Sequence, residues 1–196
     1  MDRSLTEQYL QKALTEGLGL DIKDPNLSGT PGRIAKMWTQ EFFSSLEHPE
    51  GFDNLTSFPN DREYDQIILL DKIHFVSMCS HHFLPFAGIA WLGYIPKGQL
   101  AGASKPSRLI NFYSKKPQLQ EHLSHEIIDC FNEKIEPQGC IVVMRGIHGC
   151  MSNRGALQYN GSGMTTSAVS GVFRDDSKAR SEVMDLIKIS LMIHEL

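Results

Sequence analysis

The run Cys79-Ser80-His81-His82 places a thiol and two imidazoles within four residues. Cys79 and His82 are three apart, so a turn lets a thiolate and an imidazole converge on one ion while His81 points elsewhere. Zinc favours such sulfur and nitrogen donors in tetrahedral geometry. A second pair, His148-Gly149-Cys150, follows the apolar run 141–144. If the two strands that carry these pairs are neighbours, three ligands such as Cys79, His82 and Cys150 leave one position open to water, the arrangement of a catalytic ion. A closed structural site that adds His81 or His148 is the alternative. Cys130 and Cys140 read as core thiols, because one continues a helical stripe and the other leads into an apolar strand.

Cations form the next group. Ser104-Lys105-Pro106-Ser107-Arg108 and Arg154 stand near strand ends or helix starts, where phosphate-binding groups collect. Arg33 and Lys36, three apart on a helix, share one face. Each of these alone reads as a solvated charge. Gln120-Glu121 falls in the first turns of a helix opened by Pro117, where an acid is favourable against the helix dipole. A carboxylate there also matches the paired N–H groups on the N1 and 2-amino edge of a guanine.

The elements that must position these groups follow from periodicity. Ser4 with Glu7 makes a capping box, and Leu5, Tyr9, Ala13 and Leu14 keep helical spacing until Gly17. Thr30-Pro31 opens a second helix with Ile34, Met37, Trp38, Phe42 and Leu46 as its stripe. A Gly-, Pro- and Asp-bearing stretch over 50–60 reads as a linker. Strands are expected at 66–70, 73–77, 88–95, 141–144 and 168–173. The helix from Pro117 carries Leu119, Leu123, Ile127, Cys130 and Phe131 and ends before Glu136-Pro137. A last helix over 177–191 turns Val183, Leu186 and Ile187 inward. Elements in blocks rather than strict alternation predict an α+β fold with a largely antiparallel sheet. The expected division is a helical extension at 1–49 and a main domain at 50–196.

The chain has 196 residues with 19 Lys and Arg against 23 Asp and Glu, a formal charge of -4. That length supports one sizeable core with a small extension. The acidic balance advertises neither nucleic acid nor an anionic membrane, so an anionic ligand must be held by a local pocket. The first residues lack the apolar core of a signal peptide, and no run approaches the ~18 apolar residues that span a bilayer. A cytoplasmic protein with reduced thiols is the expectation.

Taken together, these residues resemble the GTP cyclohydrolase I family of zinc enzymes in the tunnelling-fold superfamily. The likeness runs through Thr30-Pro31-Gly32-Arg33, Cys79-Ser80-His81-His82, Gly102-Ala103-Ser104-Lys105, Arg108, Pro117-Gln118-Leu119-Gln120-Glu121 and His148-Gly149-Cys150 with Arg154, in the family's order. The resemblance implies Zn²⁺ on Cys79, His82 and Cys150, and conversion of GTP and water to 7,8-dihydroneopterin triphosphate and formate. It implies His148 as acid and base at the purine, and His81 with Ser104 as proton carriers at the ribose. Gln120 and Glu121 would read guanine; Arg33, Lys36, Lys105, Arg108 and Arg154 would hold the triphosphate. The implied fold is the tunnelling fold, an antiparallel sheet with helices packed on one face, assembled as a homo-oligomer, commonly a decamer with sites between subunits. Two positions depart from the family's pattern: Ser80 where Glu is usual, and His122 where Arg is frequent. Ser80 motivates the alternative of a degenerate homologue that binds nucleotide or a partner protein without turnover.

Overall fold

The computed structural model describes residues 1–158 and 162–192. The chain divides into two compact units, Met1–Gly51 and the chain from Phe52 onward.

In the first unit, α1 (Arg3–Lys12) runs on as a wider π-helical turn to Gly17. Its cap is Asp2 rather than the expected Ser4. The extended backbone of Asp2 carries its carboxylate over the Leu5 amide at 2.9 Å, which leaves Ser4 already inside the first turn. Helix α2 (Thr30–Lys36) has Pro31 in its first turn, where a missing N–H costs nothing. It runs on as a π-helical segment (Met37–Phe42), and the most buried positions of the two are the small or compact Pro31, Ala35 and Thr39, four apart. The larger Ile34, Met37 and Trp38 of the expected stripe are half-buried, and Leu46 is exposed.

The second unit runs β1 (Ser57–Pro59), β2 (Ile68–Cys79), β3 (Pro85–Ile95), β4 (Gln99–Ala101), α3 (Lys105–Ser114), β5 (Pro117–Gln118), α4 (Gln120–Ile135), β6 (Gly139–His148), α5 (Gly149–Ser152), β7 (Met164–Gly171), α6 (Val172–Asp175) and α7 (Ser177–Met192). The main sheet has the order β5-β2-β3-β6-β7, antiparallel except where β5 joins β2 in parallel. It is α+β, as the blocks of elements predicted.

The two short strands expected at 66–70 and 73–77 are one strand with a bulge. Leu70 pairs with Leu92 and Ile73 with Ala90, so β2 spends one extra residue there, and Lys72 takes a left-handed φ of 48°. The extra residue changes which parity faces the core. Ile68 and Leu70 point to the same cluster as Ile73, Phe75 and Cys79.

Successive residues of the central strands serve opposite faces. Ala90, Leu92, Tyr94, Cys140, Val142 and Met144 pack with Leu109, Ile110, Leu123, Ile127 and Phe131 of α3 and α4. Trp91, Ile141 and Val143 meet Phe173, Val183 and Ile187, so α6 and α7 sit on the other face. Cys130 and Cys140 are both buried in the first cluster. Helix α3 was not visible as a helix from its polar opening residues; burial of Pro106, Leu109 and Ile110 forms it. Pro117 does not open α4, because Pro117 and Gln118 pair with Met78 and Cys79 as β5 and the helix starts at Gln120.

Gly88 and Gly146 are register partners on β3 and β6. A Cβ on Gly88 would overlap the carbonyl oxygen of Arg145, which is backbone and cannot swing aside. Gly88→Ala is expected to destabilise the fold by about 1–3 kcal/mol through forced strand separation. Urea unfolding checks this, with a lowered midpoint at unchanged slope as the expected result.

Candidate functional site

Strands β2 and β6 both pair antiparallel with β3, so they run in the same direction and their C-terminal ends reach the same edge. Met78 lies opposite Pro85, and Phe86 lies opposite His148. Cys79 ends β2, His148 ends β6, and Cys150 follows on the single turn α5. One ligand atom from each of Cys79, His148 and Cys150 lies within 4.8 Å of the others. Two thiol sulfurs and an imidazole nitrogen are the donor set that a zinc-type ion prefers, so these residues fit a metal.

His148 is buried, and its ring is stacked on Phe86 with centroids 4.5 Å apart and planes 3° from parallel. Its Nε2 lies 2.9 Å from Oε1 of Gln120. Burial holds the His148 imidazole below its ordinary pKa, with the Glu121 carboxylate opposing that shift. Burial pushes the Cys150 thiol up, and the neighbouring Cys79 adds to the effect, while Arg154 acts in the opposite direction.

The other expected residues fall as follows. The turn after Cys79 is closed by Phe83 N–H donating to the Cys79 carbonyl at 2.9 Å. It leaves Ser80, His81 and His82 exposed, and His82 is not one of the three grouped ligands. Glu121 and His122 are exposed on the first turn of α4, whereas Gln120 is fully buried. Ser104 precedes α3, and Lys105 donates to Asn54 Oδ1 at 2.8 Å. Arg108 and Arg154 are exposed. Arg33 and Lys36 share an exposed face of α2 in the first unit, where Arg33 donates to Thr30 Oγ1 at 2.7 Å and to the Asn26 carbonyl at 3.2 Å. The stacking of Phe86 and the link from Gln120 to His148 were not read from the sequence. Both depend on the register of strands far apart in the chain, which no local pattern records.

Residues 7–188 match the family model described as GTP cyclohydrolase I. The chain belongs to the GTP cyclohydrolase I family. Its fold is accordingly the family's tunnelling fold, with helices α3 and α4 on one sheet face and the N-terminal helices preceding it in sequence. Relatives named GTP cyclohydrolase 1 include that of Caldanaerobacter subterraneus subsp. tengcongensis, 43% identical over 93% of this chain and 97% of that protein. The Thermoanaerobacter pseudethanolicus relative is 41% identical over the same shares of each chain, 93% and 97%. That of Thermobifida fusca is 39% identical over 93% of this chain and 89% of its own length.

Because the raised thiol of Cys150 is protonated near neutrality, a metal that binds it must displace a proton. Loading the metal-free protein with Zn²⁺ in weak buffer is expected to acidify the solution, with apparent affinity rising as pH rises. Cys79→Ser and Cys150→Ser are expected to lose the metal by elemental analysis, and Cys130→Ser to keep it.

Proposed function

We propose that this chain hydrolyses GTP, converting GTP and water to 7,8-dihydroneopterin triphosphate and formate. The convergence of Cys79, His148 and Cys150 at one sheet edge, in a chain of this family, carries the reading. The ion we assign is zinc, on Cys79, Cys150 and His82, with His148 kept as the proton carrier. The engagement of His148 with Gln120 and Phe86 supports that division. When bound, such an ion acidifies water enough for attack at neutral pH.

The chain's own residues then divide the work. His148 supplies a proton at purine N7 as the five-membered ring opens and C8 leaves as formate after a second hydration. Its depressed pKa keeps the ring neutral near pH 7, so that it can first accept the proton it delivers. His81 and Ser104 carry protons at the ribose during its rearrangement and the closure of the new ring. Glu121, exposed at the start of α4, accepts from N1–H and the 2-amino group of guanine, with the buried Gln120 beside it in sequence. Arg33, Lys36, Lys105, Arg108 and Arg154 bind the triphosphate, which lets an acidic protein hold a highly anionic substrate.

We further assign residues 1–49 to a helical extension and 50–196 to the catalytic domain. A homo-oligomer, as a decamer with sites between subunits, is supported by the edge position of β7, whose outer side has no partner among the described residues. Cytoplasmic residence is supported by free cysteines at 79, 130, 140 and 150. No described helix is long and apolar enough to cross a membrane.

Incubation with GTP is expected to release formate and to give a fluorescent pterin after oxidation, both lost with a chelator and restored by Zn²⁺. His82→Ala should lose zinc and turnover together, whereas His148→Ala should keep zinc and lose turnover. The reverse pattern would move the third ligand to His148. Bound zinc with no formate from the wild type would favour the non-catalytic nucleotide binder instead.

Arg108→Ala and Arg154→Ala are each expected to weaken GTP binding about ten-fold or more, the scale of one charge-assisted hydrogen bond. Guanosine should bind poorly to every form. Calorimetry showing equal affinity for guanosine and GTP in the wild type would remove the phosphate pocket.

A further inference from the structure

Gln120 opens α4, is fully buried, and ends in an amide whose surroundings dictate its orientation. Nε2 lies 3.2 Å from the Met144 carbonyl, 3.0 Å from the Met164 carbonyl and 3.1 Å from Thr166 Oγ1. Carbonyl oxygens only accept, so this end of the amide must be the NH₂. The flipped amide would set its oxygen against two carbonyl oxygens. Oε1 therefore faces His148, and because that oxygen can only accept, the hydrogen of the 2.9 Å contact belongs to His148 Nε2. In the neutral ring the lone pair then sits on Nδ1. Phe86 fixes the plane of the same ring by stacking.

Strand β6 is shaped for this amide. A Cβ on Gly146 would stand 2.6 Å from Gln120 Oε1, so any side chain at 146 displaces the acceptor. The residue that bears His148 and the residue that makes room for its partner are two apart on one strand face.

We propose that Gln120 is the positioning residue of His148, fixing its Nε2–H tautomer and, with Phe86, its pose, so that Nδ1 is the nitrogen presented for proton exchange. The tautomer stands on the geometry alone, and only the destination of the proton rests on the reaction proposed above. In that reaction a water oxygen bonds to C8 and gives its proton to Nδ1. The C8–N7 π pair moves onto N7, which takes the proton back, and the ring ends neutral with Nε2–H intact. Gln120 acts through His148 and does not touch the base.

Solid-state ¹⁵N spectra of histidine-labelled full-length protein, with and without zinc, read the tautomer directly, and His148→Ala identifies the His148 signals. The expected wild-type result is a protonated Nε2 and a bare Nδ1 in a single form. Gln120→Met removes the acceptor at similar volume, and Gly146→Ala moves it. Each should introduce the second tautomer and lower kcat by about 10- to 100-fold, the usual cost of losing a positioning partner, with KM for GTP unchanged. A hydrogen on Nδ1 in the wild type overturns the proposal, and that measurement needs no variant to fold. So does a Gln120→Met protein with an unaltered tautomer, raised KM and relaxed choice between guanosine and inosine triphosphates, since Gln120 would then be reading the base. Expected spectra with no formate from the wild type would sink the reaction and leave the tautomer assignment standing.

Discussion

Strand β3 is the interaction on which the rest depends, because it hydrogen-bonds to β2 on one side and β6 on the other over nearly its whole length. Two strands antiparallel to a common neighbour are parallel to each other, so their last residues emerge together. That brings Cys79 and His148 to one edge although 68 positions lie between them in the chain. The short loop after β2 and the single turn after β6 add further donors at that edge without long excursions. β5 completes the frame: by pairing Gln118 with Cys79 it delivers the start of α4, and with it Gln120 and Glu121, to the same place.

The polar interior at this edge follows the rule that buried polar groups must be satisfied. Gln120 is fully buried, yet its amide nitrogen and oxygen have partners from β6, β7 and the ring of His148. A side chain so saturated is held in one orientation, and it holds the ring of His148 in turn. The cationic residues differ in kind. Arg108 and Arg154 are exposed, outside this buried network.

Much of this was legible in the sequence because the donor pairs are local. Cys79 with its two histidines, and His148 with Cys150, announce themselves within four residues and three residues respectively, and each follows an apolar run. The helix over α4 was legible from its stripe, and α7 from Val183 and Ile187. What could not be read was phase. The bulge at Leu70 and Ile73 breaks the alternation of β2, and a pattern with period two then looks like two short strands. Pro117 likewise signals a helix start by type, but pairing with Met78 at long range turned it into a strand. Asp2 displaced Ser4 as the cap through a backbone angle that residue type does not specify. The grouping of His148 with the two thiols and its bond to Gln120 are also properties of register, invisible to spacing.

The two clusters that sandwich the sheet do not extend equally along it. Around Trp91 and Val143 both faces are covered, by α3 and α4 on one side and α7 on the other. Toward the other end, the row Val76, Ala87 and Ile147 is solvent-exposed on the face that α7 covers elsewhere. The slab therefore thins from two-sided to one-sided over the last few residues of β2 and β6 and the first few of β3. Backbone near its middle is covered on both faces, whereas the strand ends that carry Cys79 and His148 are covered on one. The group of Cys79, His148 and Cys150 sits at this one-sided margin, where only a turn and a single helical step extend beyond the strands that aim it.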